Sequence, residues 1–296
     1  MHGGVYWLMS RNCSHAQYLI ATGEFIKCWH YKHAGSKHQG AASWPTQSCI
    51  ENNHCGGTRQ SPIDIETTKA VQDQSLPKLT FKNFDAPMTE WELMNNGHSA
   101  AFKPGKDDKT ERTVSGGLLH GTYVFTQFHF HWGSKNTQGS EHLVDSKASV
   151  MEMHMVFMNK KYDTADKAVH NTDGIAVLAT FFQVGTNSRG LDTLAAHLSE
   201  ITTPGNIYKG LPAEKVSLLD LLPTNTNDFY TYEGSLTTPP CWEAVTWTVF
   251  RERSEIKQSQ LDGYRKLNDM EDIHISNNYR PPQAMNGRVV KTTFAP

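Results

Sequence analysis

Gln127-Phe128-His129-Phe130-His131-Trp132 is the stretch that decides the fold class and hints at chemistry. Polar and aromatic residues alternate with a period of two, the mark of a β-strand, whose successive side chains project to opposite faces. Gln127, His129 and His131 therefore share one face. Phe128, Phe130 and Trp132 share the other, where large rings anchor the strand in a core. Two imidazoles two residues apart on a rigid strand can converge on one metal ion, since His is the commonest metal ligand. The pair alone does not make a site: with 15 His in 296 residues, about 0.8 His-x-His pairs arise by chance. A third ligand, acceptors behind the ligands and an open coordination position have to come from elsewhere.

Met151-Glu152-Met153-His154-Met155-Val156-Phe157 supplies the third ligand. As a strand it places Glu152, His154 and Val156 on one face and Met153, Met155 and Phe157 on the other. Any one of these histidines, taken singly, reads as a hydrogen-bonded core residue. Together, His129, His131 and His154 form a three-imidazole set that binds zinc and leaves the fourth tetrahedral position to water, the arrangement of a catalytic rather than a structural site.

Around these strands the chain is that of a globular protein. A net charge of -2 gives no long-range attraction to nucleic acid or anionic membrane. There is no Walker-type glycine loop, and no apolar run approaches the roughly 18 residues of a membrane span. Short strands punctuated by Gly, Asn, Asp and Pro turns are expected at 79–81, 91–94, 100–102, 123–132, 150–157, 175–184 and 244–250, with few and short helices, chiefly at 189–201 and 258–266. Lys103 to Arg112 reads as a solvated, charged hairpin tip. No repeat or linker divides the chain, so one domain over residues 28–296 is expected. Residues 1–27 read as a leader, an expression remnant or a flexible extension, with a sequon at Asn12-Cys13-Ser14. The five cysteines, Cys13, Cys28, Cys49, Cys55 and Cys241, contain no Cys-x-x-Cys pair, which argues against a thiolate zinc knuckle or thioredoxin-like site. Buried thiols and disulfides of an oxidising compartment both remain open.

A series of blocks in fixed order resembles the α-class carbonic anhydrases. They are Arg59-Gln-Ser-Pro-Ile-Asp-Ile, Asn96-Gly-His98, Gln127-Phe-His-Phe-His-Trp-Gly, Gly139-Ser-Glu-His, Glu152-Met-His154, Asp173-Gly-Ile-Ala-Val, Tyr232-Glu-Gly-Ser-Leu-Thr-Thr-Pro-Pro-Cys241 and Asn278-Tyr-Arg-Pro-Pro-Gln. The resemblance covers about Cys28 to Phe294. It implies a mainly β domain with a few short helices around a large, mostly antiparallel, ten-stranded twisted sheet. It also implies a zinc enzyme that hydrates carbon dioxide reversibly to bicarbonate and a proton.

Position by position, the resemblance makes His129, His131 and His154 the zinc ligands. Gln127, Glu152 and the Asn278 carbonyl become the acceptors that orient them, a kind of partner whose loss costs about 10–100-fold in metal affinity or activity. Thr237 matches a gatekeeper hydroxyl that donates to Glu141, a carboxylate that can only accept. Val156, Val177, Leu236 and Trp247, with Val245 nearby, match an apolar wall for carbon dioxide. Tyr31, Asn96 and Thr238 match the wet side of the cleft, where Ala101 departs from the polar residue often found. His98 matches the proton shuttle, a role suited to a side chain with an unperturbed pKa near 6.5.

For the cysteines, the resemblance pairs Cys55 with Cys241, as in secreted and membrane-bound animal members, and Cys28 with Cys49, as in glycolipid-anchored forms. The expected location is therefore extracellular, secreted or at the cell surface, with an anchoring signal absent, removed or outside this sequence. Cis peptide bonds are expected at Ser61-Pro62 and Pro239-Pro240. Sulfonamide-type and anionic inhibitors are expected by family. A binding domain that has kept the fold without the reaction competes poorly, because such relatives usually lack a zinc histidine. A cupin-type metal site competes poorly too, because its Glu follows the His pair within a few residues and Glu141 comes too late.

Overall fold

The computed structural model describes residues 29–31, 40–188 and 190–295. Among these residues fifteen strands are seen in chain order: β1 Asp64–Ile65, β2 Val71–Gln72, β3 Thr80–Lys82, β4 Trp91–Asn95, β5 Ala100–Pro104, β6 Thr113–Ser115, β7 Tyr123–Trp132, β8 Leu143–Val144, β9 Met151–Asn159, β10 Ile175–Val184, β11 Ile207–Lys209, β12 Phe229–Gly234, β13 Val245–Phe250, β14 Ser254–Ile256 and β15 Lys291–Thr292. Among the described residues, thirteen form one sheet, whose main path of ten strands runs β11-β4-β5-β7-β9-β10-β13-β12-β15-β2. The sheet is mixed. The pairings β10–β13, β10–β14 and β15–β2 are parallel and the others antiparallel.

The alternation in β7 has one interruption, at Thr126. The register against β9 slips between Phe125 and Gln127, leaving an extra residue opposite Val156. Thr126 Oγ1 donates to the Val156 carbonyl at 2.9 Å. Such a bulge reverses side-chain parity. Tyr123 and Phe125 before it therefore face the same core as Phe128, Phe130 and Trp132 after it. Met151, Met153, Met155 and Phe157 of β9 join them from the neighbouring strand. Phe102 stacks on Phe128 at 4.4 Å between ring centroids. Each such side chain contributes about 1.5–3 kcal/mol by burial, so the sheet is fixed from this face and its other face is left to function.

On that other face the register builds rows of side chains across several strands. Val156 lies opposite Val177, and Val177 opposite Trp247. One step along, His129 lies opposite His154 and His131 opposite Glu152. A second core gathers there from Val156, Val177, Val245, Trp247 and Tyr232, with Leu236 packed against it.

Among the described residues α-helices are few: α1 Ala165–Val169, α2 Leu191–Ala195 and α3 Gln258–Tyr264. The single helix expected over 189–201 is instead α2 followed by a 3-10 turn at Leu198–Ile201, broken where His197 leaves helical geometry. The peptide bonds Ser61-Pro62 and Pro239-Pro240 are cis. Cys55 and Cys241 are bridged across a separation of 186 residues. Cys49 is disulfide-bonded as well, while its expected partner Cys28 lies outside the described residues, as do Cys13 and the 1–27 extension.

Candidate metal centre and active site

His129 and His131 come from β7 and His154 from β9, adjacent strands whose pairing sets the two His-bearing rows side by side. One ligand nitrogen from each of the three lies within 4.8 Å of the others. The nitrogen that points away is held in every case. Gln127 Oε1 lies 3.0 Å from His129 Nδ1, the Asn278 carbonyl 2.8 Å from His131 Nδ1, and Glu152 Oε1 2.7 Å from His154 Nε2.

These acceptors decide the tautomers. A carbonyl or carboxylate oxygen can only accept, so His131 carries its proton on Nδ1 and His154 on Nε2. Their other nitrogens, His131 Nε2 and His154 Nδ1, are then bare and stand 3.1 Å apart. Two lone pairs facing at that distance repel unless a cation lies between them. Tetrahedral coordination at about 2.0–2.1 Å spaces imidazole nitrogens by about 3.3 Å, so the residues fit one zinc ion.

The electrostatics favour the neutral ligand form. Burial, then the neighbouring His131 and His154, hold His129 well below the usual imidazole range. Burial and then His154 push His131 down to about 3. His154 is lowered chiefly by burial, against the upward pull of Glu152. Burial alone would raise Glu152, but the facing His142 and His154 hold it well below the ordinary carboxylate range. Its Oε2 accepts the backbone N–H groups of Glu141 and His142 at 2.8 Å each, and its Oε1 also meets His142 Nδ1 at 2.7 Å. His142, Glu152 and His154 could in principle hold an ion of their own, but their polar atoms already bond to one another.

Behind the metal face, His142 Nε2 meets the Tyr232 hydroxyl at 2.7 Å, which is hydrogen-bonded to Ser61 Oγ at 2.9 Å. Ser61 Oγ also accepts the backbone N–H of Ser235, two residues before Thr237. His142, Tyr232 and Ser61 received no role from sequence, although each sits inside a quoted motif. Only their contacts reveal what they do.

Glu141 is 1 % exposed, and its Oε1 accepts the Arg280 backbone N–H at 2.6 Å. Burial raises this carboxyl well above its ordinary range, with the Arg280 N–H and the Thr237 hydroxyl pulling it back down. Oε2 makes no hydrogen bond of ordinary geometry. Thr237 is buried, and Leu236 and Thr238 on either side are half-buried. Trp247 Nε1 donates to the Ser235 carbonyl at 3.1 Å, tying the apolar wall to the same turn.

The expected wet side is more aromatic than its sequence suggests. Tyr31 is buried, and its hydroxyl is raised well above its usual range by burial first and by the charge of Glu141 second. His98 stacks on Trp29 with ring centroids 4.0 Å apart. Asn96 is exposed, with Oδ1 committed to the backbone N–H groups of His98 and Ser99 at 2.9 and 2.7 Å. Ala101 lies opposite His129 across the β5–β7 pairing, 2 % exposed.

The comparisons with known proteins agree with this geometry. Residues 39–294 match the family model of eukaryotic-type carbonic anhydrases. Human carbonic anhydrase 7 is 42% identical over 246 residues, covering 80% of this chain and 89% of that protein. Mouse carbonic anhydrase 7 is 38% identical over 275 residues, covering 90% and 97%, and mouse carbonic anhydrase 1 is 38% identical over 244 residues, covering 80% and 90%. A β-sheet that brings three bare imidazole nitrogens to one point, and a match of this extent around them, make the chain a member of the eukaryotic-type carbonic anhydrase family of enzymes.

Proposed function

We propose that the protein is a zinc enzyme that hydrates carbon dioxide reversibly to bicarbonate and a proton. The observation that carries this reading is the 3.1 Å approach of two bare imidazole nitrogens, His131 Nε2 and His154 Nδ1, with every opposite nitrogen held by an acceptor. His129, His131 and His154 would hold the ion, and Gln127, Asn278 and Glu152 would fix their tautomers. When bound, zinc supplies a strong nucleophile from water near neutral pH, as in the carbonic anhydrases that exemplify this chemistry.

The chain's own residues then do three things. Thr237 donates its hydroxyl proton to Glu141, which leaves a lone pair to accept the O–H of the nucleophile and aims the attacking lone pair at substrate. Val156, Val177, Leu236, Val245 and Trp247 present a dry surface to a small, uncharged molecule, while Thr238 borders it. His98, with Tyr31 and Asn96 along the route, takes the released proton towards solvent.

The family reading extends to sulfonamide-type and anionic inhibitors. The Cys55–Cys241 bridge favours a mature domain of residues 28–296 working outside the reducing cytosol, secreted or at the cell surface. Among the described residues no helix is long and apolar enough to cross a membrane. Zinc analysis of purified protein together with a stopped-flow carbon dioxide hydration assay tests the proposal. A protein that binds zinc stoichiometrically but does not hydrate carbon dioxide would overturn it.

A further inference from the structure

Building on the zinc-site reading above, we infer that Arg280 is a positioning residue that sets the spacing of Thr237 and Glu141. Its backbone N–H fixes Glu141, and its guanidinium holds Gln60 and Ser61, which in turn bond the two ends of the turn that carries Thr237.

Arg280 is 1 % exposed. Nη1 donates to Gln60 Oε1 at 2.7 Å and to the Ser61 carbonyl at 2.9 Å, and Nη2 donates to the Cys55 carbonyl at 2.9 Å. Nε is buried without a partner. All three acceptors are neutral, and among the described residues no carboxylate lies within ion-pair distance of it. Burying an ion costs several kcal/mol even after relaxation, so a mere spacer would be better made from an apolar side chain. The charge that acts most on it is that of Glu141, and the two attract across the site.

The acceptors lead directly to the Thr237 turn. Gln60, 3 % exposed, spends its Nε2 on the Cys241 carbonyl at 3.2 Å and on Glu243 Oε1 at 3.0 Å. Ser61 donates its N–H to Ser235 Oγ at 2.9 Å and receives the Ser235 N–H on its own Oγ at 3.0 Å. Ser235 and Cys241 bracket Thr237, and the Cys241 N–H closes the turn on the Thr238 carbonyl at 2.9 Å. One residue thus holds the carboxylate with its main chain and, through Gln60 and Ser61, both ends of the hydroxyl-bearing turn with its side chain. A hydroxyl-to-carboxylate bond works only over about 2.5–3.0 Å, and a misplacement of about 1 Å can cost on the order of 100-fold in rate.

The test uses Arg280→Met and Gln60→Leu, each alone and combined with Glu141→Gln, in the zinc-loaded full chain. Zinc content, thermal unfolding and kcat/KM for hydration are measured, together with the NMR resonance of the residue-280 backbone amide. Both single variants should keep their zinc and lose kcat/KM on the order of 10-fold or more. Added to Glu141→Gln, neither should cost much further, because the residue through which they act is already altered. In Gln60→Leu the amide proton, shifted downfield by its carboxylate acceptor, should move upfield. Arg280→Lys should recover little, because an ammonium cannot reproduce the planar fork. Wild-type kcat/KM in either folded, zinc-loaded variant, or a loss that multiplies undiminished onto Glu141→Gln, overturns the inference. If Arg280→Met does not fold, Gln60→Leu, which removes the link between the guanidinium and the turn and leaves the buried charge in place, carries the test. If the wild type binds zinc but is inactive, the functional reading fails separately, and an unmoved amide resonance in Gln60→Leu still refutes the positioning role.

Discussion

Replacing Glu152 with Gln should weaken the metal centre while leaving the metal-free fold standing. The carboxylate satisfies four donors: the N–H groups of Glu141 and His142 on Oε2, and His142 Nδ1 and His154 Nε2 on Oε1. A glutamine keeps one accepting oxygen and gains an NH2. With the NH2 against the two backbone N–H groups, both stay buried and unsatisfied at about 1–3 kcal/mol each, or about 2–6 kcal/mol together. The opposite orientation is cheaper. The oxygen keeps the backbone donors, and the NH2 faces the imidazoles, which can move their protons. His142 can place its proton on Nε2, where the Tyr232 hydroxyl can accept it and still donate to Ser61. His154 can do so only by protonating Nδ1, the nitrogen that faces the metal. The variant therefore protects its fold at the expense of its ligand set. Apo stability should fall by no more than about 1–3 kcal/mol, whereas zinc affinity should drop 10–100-fold or further. Urea unfolding of the metal-free proteins and zinc competition against a chromophoric chelator read the two quantities separately. Unchanged zinc affinity in Glu152→Gln would refute the claim that this carboxylate sets the His154 tautomer.

Alanine at His129, His131 or His154 should abolish zinc retention and hydration while circular dichroism stays that of the wild type, because the opposite face of the sheet carries the packed core. The metal-free wild type should lose stability as pH falls from about 6.5, the unfolded imidazole value, toward about 3, where His131 titrates in the fold. Across that window the unfolded chain binds protons that the folded chain refuses, and His131→Ala should flatten the dependence measured by denaturation at each pH. His98→Ala should slow turnover in dilute buffer towards about 10³ s⁻¹, the rate at which a group of pKa near 7 can lose its proton unaided. Added imidazole should restore much of the loss, and full turnover in dilute buffer would remove His98 from the proton route. Cys55→Ser should destabilise the protein by up to about 5 kcal/mol, the chain-entropy value for a closure of this length, read by denaturant unfolding.

What was legible in the sequence was whatever depends on local alternation. Phe128, Phe130 and Trp132, and Met153, Met155 and Phe157, declare their shared face through a period of two, and His129, His131 and His154 declare theirs by the same count. Short pieces escaped because two or three residues carry no period: β2, β8, β11 and β15 exist only because a neighbour pairs with them. Strand direction escaped as well, since the parallel β10–β13 pairing follows from how the chain returns to the sheet, which no alternation encodes. Buried connectivity lay furthest out of reach. Arg280 stands 139 residues from Glu141 and 220 from Gln60, and nothing in the spacing of an Arg in a Pro-rich stretch distinguishes a solvated charge from a buried clamp. Strand pattern thus announces which side chains can meet a metal. The contacts of Gln127, Asn278 and Glu152 fix which nitrogen of each ligand is bare, and the long-range bonds of Ser61, Tyr232, His142 and Arg280 tie the carboxylates and the Thr237 turn behind them, which no spacing in the sequence announces.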